Sequence, residues 1–93
     1  MNTLMIVVPC YNEEEILPDT VSQLTGVIKR LIDKDKINKK SGILLVNDGS
    51  RDHTWEIIAG AHSRNKFIYG LNLAGNVGHQ NALLAGLNML KDS

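Results

Sequence analysis

A chain of 93 residues with ten basic and ten acidic side chains makes one small domain or part of one. Its zero formal charge offers no electrostatic footprint for nucleic acid or an anionic membrane, and its single cysteine excludes an intrachain disulfide and any cysteine-based metal cluster. No apolar run approaches the ~18 residues of a membrane span, and Met1-Asn2-Thr3 lacks the basic start of a signal peptide, so a cytoplasmic, reducing location is expected.

Leu4-Met5-Ile6-Val7-Val8 is short, apolar and rich in β-branched residues, which predicts a buried strand that Pro9 terminates. Cys10 to Glu15 follow as a polar connection. Ile16, Leu17, Val21, Leu24, Val27, Ile28, Leu31 and Ile32 then recur at spacings of three and four, drawing one stripe on a helix of about five turns. Glu13, Glu14 and Glu15 suit its amino end, and Pro18 falls where a missing donor matters least. Residues 33–41 form a charged, solvated connection.

Ile43-Leu44-Leu45-Val46 is too short for a helix and lacks polar alternation, as expected for a strand covered on both faces of a parallel sheet. Asn47-Asp48-Gly49-Ser50 is turn chemistry, and a helix is predicted from about Thr54 to Ser63. Residues 67–73 read as a third strand and residues 78–90 as a third helix. The alternation predicts parallel strands, right-handed crossovers and helices on both faces, an α/β/α layering.

All three strand ends then deliver polar loops to one edge of the sheet, the edge where open α/β sheets bind ligands. Asp48 fits either a ligand contact, accepting from ribose hydroxyls or a base N–H, or a turn or helix-cap role. His79, beside Gly78 at a helix start, could meet a phosphate, although a structural role is the simpler reading. His53 and His62 are expected in solvent, and Cys10 as a small buried residue with no histidine to activate it. Trp55, Ile57 and Ile58 are expected on the core face of their helix. Neither the Gly-x-Gly-x-x-Gly dinucleotide fingerprint nor a complete P-loop is present; Gly70-x-x-x-x-Gly75 continues as Asn76-Val77.

Three blocks, Val7-Val8-Pro9-Cys10-Tyr11-Asn12-Glu13, Val46-Asn47-Asp48-Gly49-Ser50-x-Asp52-x-Thr54 and Asn76-x-Gly78-His79-Gln80-Asn81-Ala82-Leu83-x-Ala85-Gly86, together resemble the amino-terminal half of family 2 glycosyltransferases. The third is most similar to the polyprenyl-phosphate sugar transferases, the dolichol-phosphate mannose synthase and bactoprenol glucosyltransferase group. The resemblance implies the nucleotide-binding half of a GT-A, Rossmann-like fold over residues 1–93. It also implies a UDP- or GDP-sugar donor, a polyprenyl-phosphate or glycan acceptor, and transfer with inversion.

It places Pro9, Tyr11, Glu13 and Asp48 around the nucleoside and Gly78 and His79 near the diphosphate. Gly75 stands where family members commonly carry a basic residue. A divalent ion, Mg or Mn, is implied for the full-length enzyme. Its Asp-x-Asp ligands and the acceptor half are expected beyond Ser93, so no catalytic or metal-binding residue is expected within this chain, which alone would be inactive. The parent enzyme is expected at the cytoplasmic face of a membrane. A bare strand edge beside residues 4–8 would favour self-association. The alternative is a non-catalytic nucleotide-binding or interaction module of the same α/β class.

Overall fold

The computed structural model describes residues 2–73, in the order β1 (Met5–Cys10), α1 (Leu17–Asp33), β2 (Gly42–Asp48), α2 (Thr54–Arg64) and β3 (Ile68–Leu73). The three strands form one parallel sheet with β2 in the centre. The register pairs Met5 with Gly42 and Cys10 with Asn47 on one side, and Ile43 with Ile68 and Asp48 with Leu73 on the other. The predicted parallel α/β arrangement is therefore present. The third helix expected over residues 78–90 lies outside the described residues.

Every residue of β2 is buried, which explains the absence of polar alternation in its sequence. Its side chains divide by parity. Ile43 and Leu45 join Leu17 and Ile28 of α1 and Ile58 and Ala61 of α2 in the larger core. Leu44 and Val46 form a smaller cluster on the opposite face, flanked by Met5, Val7, Leu71 and Leu73. Both described helices thus cover the same face of the sheet. Among the described residues no helix is long and apolar enough to cross a membrane.

Two details differ from the sequence reading, each for a local reason. Pro9 does not end β1; it pairs with Val46, and the strand continues to Cys10. The Leu4 carbonyl accepts the Gly42 N–H at 3.0 Å, so by alternation Ile6, Val8 and Cys10 present their backbone groups to β2. Met5, Val7 and Pro9 face away from it, where a missing N–H removes no bond from this ladder. Ile16, expected on the buried stripe, is the N-cap residue of α1 and is 60% exposed. The helix starts instead from the Glu13 carbonyl, which accepts the Leu17 N–H at 2.9 Å, with Pro18 in the first turn.

Gly70 decides how closely α2 approaches β3. A Cβ there would lie 2.7 Å from Ile58 Cγ2 and 3.3 Å from the Trp55 ring, so the missing side chain is what lets the helix rest on the strand.

Candidate nucleoside-binding edge

The central strand carries Asp48 to the carboxyl edge of the sheet as its last residue, with no solvent-accessible surface. Gly49 follows at φ 70°, a conformation that favours glycine, and reverses the chain into the polar turn. Asn47, one residue earlier and on the helix-bearing face, donates from Nδ2 to Asn72 Oδ1 at 2.7 Å. Its Oδ1 accepts the Ser50 N–H at 3.4 Å. Asn47 therefore ties the turn after β2 to the end of β3.

The turns after β1 and β2 are stitched together by side chains nearly forty positions apart in sequence. Asn12, itself at φ 52°, donates its N–H to Ser50 Oγ at 3.0 Å, and its Oδ1 accepts the Arg51 N–H at 2.8 Å. The Glu13 N–H donates to Thr54 Oγ1 at 2.9 Å and the Glu14 N–H to Asp52 Oδ2 at 3.2 Å. Asp52 Oδ1 accepts from both the backbone and the hydroxyl of Thr54, at 2.9 and 2.5 Å. His53, the N-cap residue, supplies no side-chain bond, so Asp52 caps α2 from one position further out. Desolvation would raise the Asp52 carboxyl. The bonds from the Thr54 hydroxyl and amide and from the Glu14 amide outweigh it and hold the group below the usual carboxylate range.

A family model, Glycosyl transferase family 2, matches residues 5–92. The chain belongs to this family. It is 55% identical over 89 residues to YkoT, an uncharacterized glycosyltransferase of Bacillus subtilis (strain 168), covering 96% of this chain and 26% of that protein. The undecaprenyl-phosphate 4-deoxy-4-formamido-L-arabinose transferase of Shewanella sediminis (strain HAW-EB3) is 36% identical over 87 residues, covering 92% of this chain and 24% of its own length. Its namesake in Yersinia pestis (strain Pestoides F) is 35% identical over 86 residues, 91% and 24% of the two chains. The chain spans about a quarter of the length of these curated relatives. The parallel sheet and its helices are consistent with the amino-terminal half of the GT-A, Rossmann-like fold.

In this family 2 chain the residues singled out in the sequence fall as follows. Pro9 and Tyr11, both half-buried, flank the buried Cys10 at the end of β1, and Glu13 is half-buried in the following turn. Asp48 stands beside them on the neighbouring strand. Gly78 and His79, like Gly75, lie outside the described residues. Asn12, Glu13, Glu14, Glu15, Ile16 and Asp52 line a shallow depression of about 210 Å³. Its four carboxylates accept from N–H and O–H donors but repel phosphate, so a nucleoside suits this edge better than a bare diphosphate.

Burial, and then the Glu13 charge, push the Cys10 thiol up to about 12, and the thiol lies 3.5 Å from the Val8 carbonyl. It is a packing residue and not a nucleophile. His53 is exposed, as expected, and pairs weakly with Glu56 at 3.8 Å; His62, also exposed, holds the Ile68 carbonyl through Nδ1 at 2.7 Å. Trp55, Ile57 and Ile58 do pack against the core.

The implied divalent metal does not fit the described residues. No grouping of three or more His, Cys, Asp or Glu side chains among them is placed to hold an ion. Asp33-Lys34-Asp35 has the spacing of an Asp-x-Asp motif, but it sits at the carboxyl end of α1, at the other end of the strands. Sequence reasoning marked Ser50 as turn chemistry and Thr54 as a helix start, but it did not foresee the bonds that tie Ser50, Thr54 and Asp52 to Asn12, Glu13 and Glu14. The signal was the Asn-Asp-Gly-Ser-x-Asp-x-Thr spacing itself, which sets a cap and two loop anchors within eight residues.

Proposed function

We propose that this chain is the nucleoside-binding part of a family 2 transferase whose whole protein passes a sugar from UDP or GDP to a polyprenyl phosphate. The observation that carries the reading is the buried Asp48 carboxylate at the end of the central strand, beside two turns fixed to each other. Asp48 accepts from a base N–H or a ribose hydroxyl, Pro9, Tyr11 and Glu13 line the nucleoside, and the family resemblance assigns the diphosphate to Gly78 and His79. The names of the Shewanella and Yersinia relatives support undecaprenyl phosphate, or a lipid phosphate like it, as acceptor.

In the transfer, an acceptor phosphate oxygen attacks the anomeric carbon from the face opposite the nucleotide. The carbon–oxygen bond to the diphosphate breaks, and the nucleoside diphosphate leaves with the electron pair, inverting the centre. The part of this chain is to bind and orient the donor. Self-association through the outer edge of β1 belongs to the same proposal, and sedimentation velocity over a concentration series tests it by whether a dimer grows in.

Calorimetric titration with UDP, GDP and their sugar conjugates, with and without manganese, tests the central reading. Metal-independent binding of one nucleotide, weakened at least tenfold in Asp48→Ala, or about 1.4 kcal/mol, is expected. A folded sample that binds none of them, or an Asp48→Ala variant that binds as before, overturns it.

A further inference from the structure

The zero net charge hides a separation of charge along the strands. Residues 29–40 hold six basic and two acidic side chains, and Arg64 and Lys66 bring the basic count at the amino edge of the sheet to eight of the chain's ten. Residues 13–19 and 48–56 hold seven of the ten acids with Arg51 as their one basic residue, and these belong to the turns and helix starts at the carboxyl edge.

On the basic edge three elements converge on one cavity of about 460 Å³. Lys29 and Asp33 come from α1, Lys39 from the connection into β2 and Lys66 from the connection into β3, while Ile32 and Phe67 supply apolar lining. Three ammonium groups against one carboxylate leave the lining at +2. Among the described residues no lysine lies within ion-pair distance of a carboxylate; the one pair present is His53 with Glu56.

The backbone beneath these lysines is fixed. Asn65 Oδ1 accepts the Phe67 N–H at 3.0 Å and Asn65 Nδ2 donates to Thr25 Oγ1 at 3.0 Å, pinning the approach to β3 onto α1. Asn38 donates its N–H to the Asn2 carbonyl at 3.0 Å and its Nδ2 to Thr3 Oγ1 at 2.6 Å, and its Oδ1 accepts the Lys40 N–H at 2.8 Å, pinning the approach to β2. The Lys66 ammonium is further held over the Phe67 ring, 5.3 Å from its centroid. Gathering like charges on a fixed frame is unfavourable unless an anion joins them.

We infer that the cavity formed by Lys29, Lys39 and Lys66 over Ile32 and Phe67 binds a phosphate ester, its phosphate among the ammonium groups and its organic part on the apolar floor. A soluble ester and a phospholipid headgroup share that chemistry. The volume suits a small molecule.

The test is calorimetric titration of the chain with inorganic diphosphate at low ionic strength, alongside co-sedimentation with phosphatidylglycerol and with phosphatidylcholine vesicles. Saturable diphosphate binding is expected, weakened at least tenfold in K29Q/K39Q/K66Q and retained in K34Q/K36Q. Circular dichroism checks that each variant folds; all three cavity lysines are exposed, so folding should survive. Diphosphate binding without vesicle binding assigns a soluble ester, and phosphatidylglycerol binding lost in the triple variant assigns a headgroup. Binding of neither probe overturns the inference, as does equal weakening in the triple and double variants.

Discussion

Thr54→Val removes one oxygen from a buried position and keeps nearly the same volume. Thr54 has no exposed surface, and its hydroxyl both accepts the Glu13 N–H and donates to Asp52. Each such bond contributes about 1 kcal/mol net, and a donor left without a partner adds about 1 kcal/mol or more of desolvation. The loss should therefore be about 2 to 3 kcal/mol, large against the few kcal/mol available to so small a domain. Thr54→Ser keeps both bonds and gives up one methyl, at about 1 kcal/mol. Urea unfolding followed by circular dichroism should show a lower midpoint for valine than for serine, with an unchanged slope. The Glu13 amide in a nitrogen-15 correlation spectrum should move most. If serine costs as much as valine, packing and not hydrogen bonding holds the two turns together.

Gly70→Ala should destabilise by about 1 to 3 kcal/mol, because its Cβ would meet Ile58 at 2.7 Å; a thermal melt measures it, and a neutral result would mean that α2 shifts freely on the sheet. The Asp52 carboxyl is held below its ordinary value in the folded chain, so its contribution is present above about pH 4 and is lost as the pH falls through the lower folded value. Acid titration should accordingly show a smaller loss of stability in Asp52→Asn than in the parent. With the Cys10 thiol at about 12, iodoacetamide at pH 8 should label the folded chain at least about a hundredfold more slowly than the urea-unfolded chain; equal rates would refute its burial.

Short β-branched runs and a three-four apolar stripe made β1, α1, β2, α2 and β3 legible, since each buries a face that the sequence itself marks. The place of Asp48 at the end of β2 was legible for the same reason, as the first charged residue after an unbroken apolar run. The network around it was not. Asn12 with Ser50 and Glu14 with Asp52 are 38 positions apart, and no local pattern pairs them. Pro9 was misread because a local rule ends strands at proline, whereas sheet position decides whether the missing donor matters. Summed charge was silent on placement: its cancellation said nothing of where the charges sit, and folding sends the two signs to opposite edges.

Pro9 has a consequence for whatever lies alongside β1. A neighbouring strand can zip onto the outward groups of Met5 and Val7, but at Pro9 it meets a position with no donor and must diverge. The seam would close at one end and gape at the other, beside Tyr11. A crevice for a planar ring could thus be opened by a single imino acid, without any insertion in the chain.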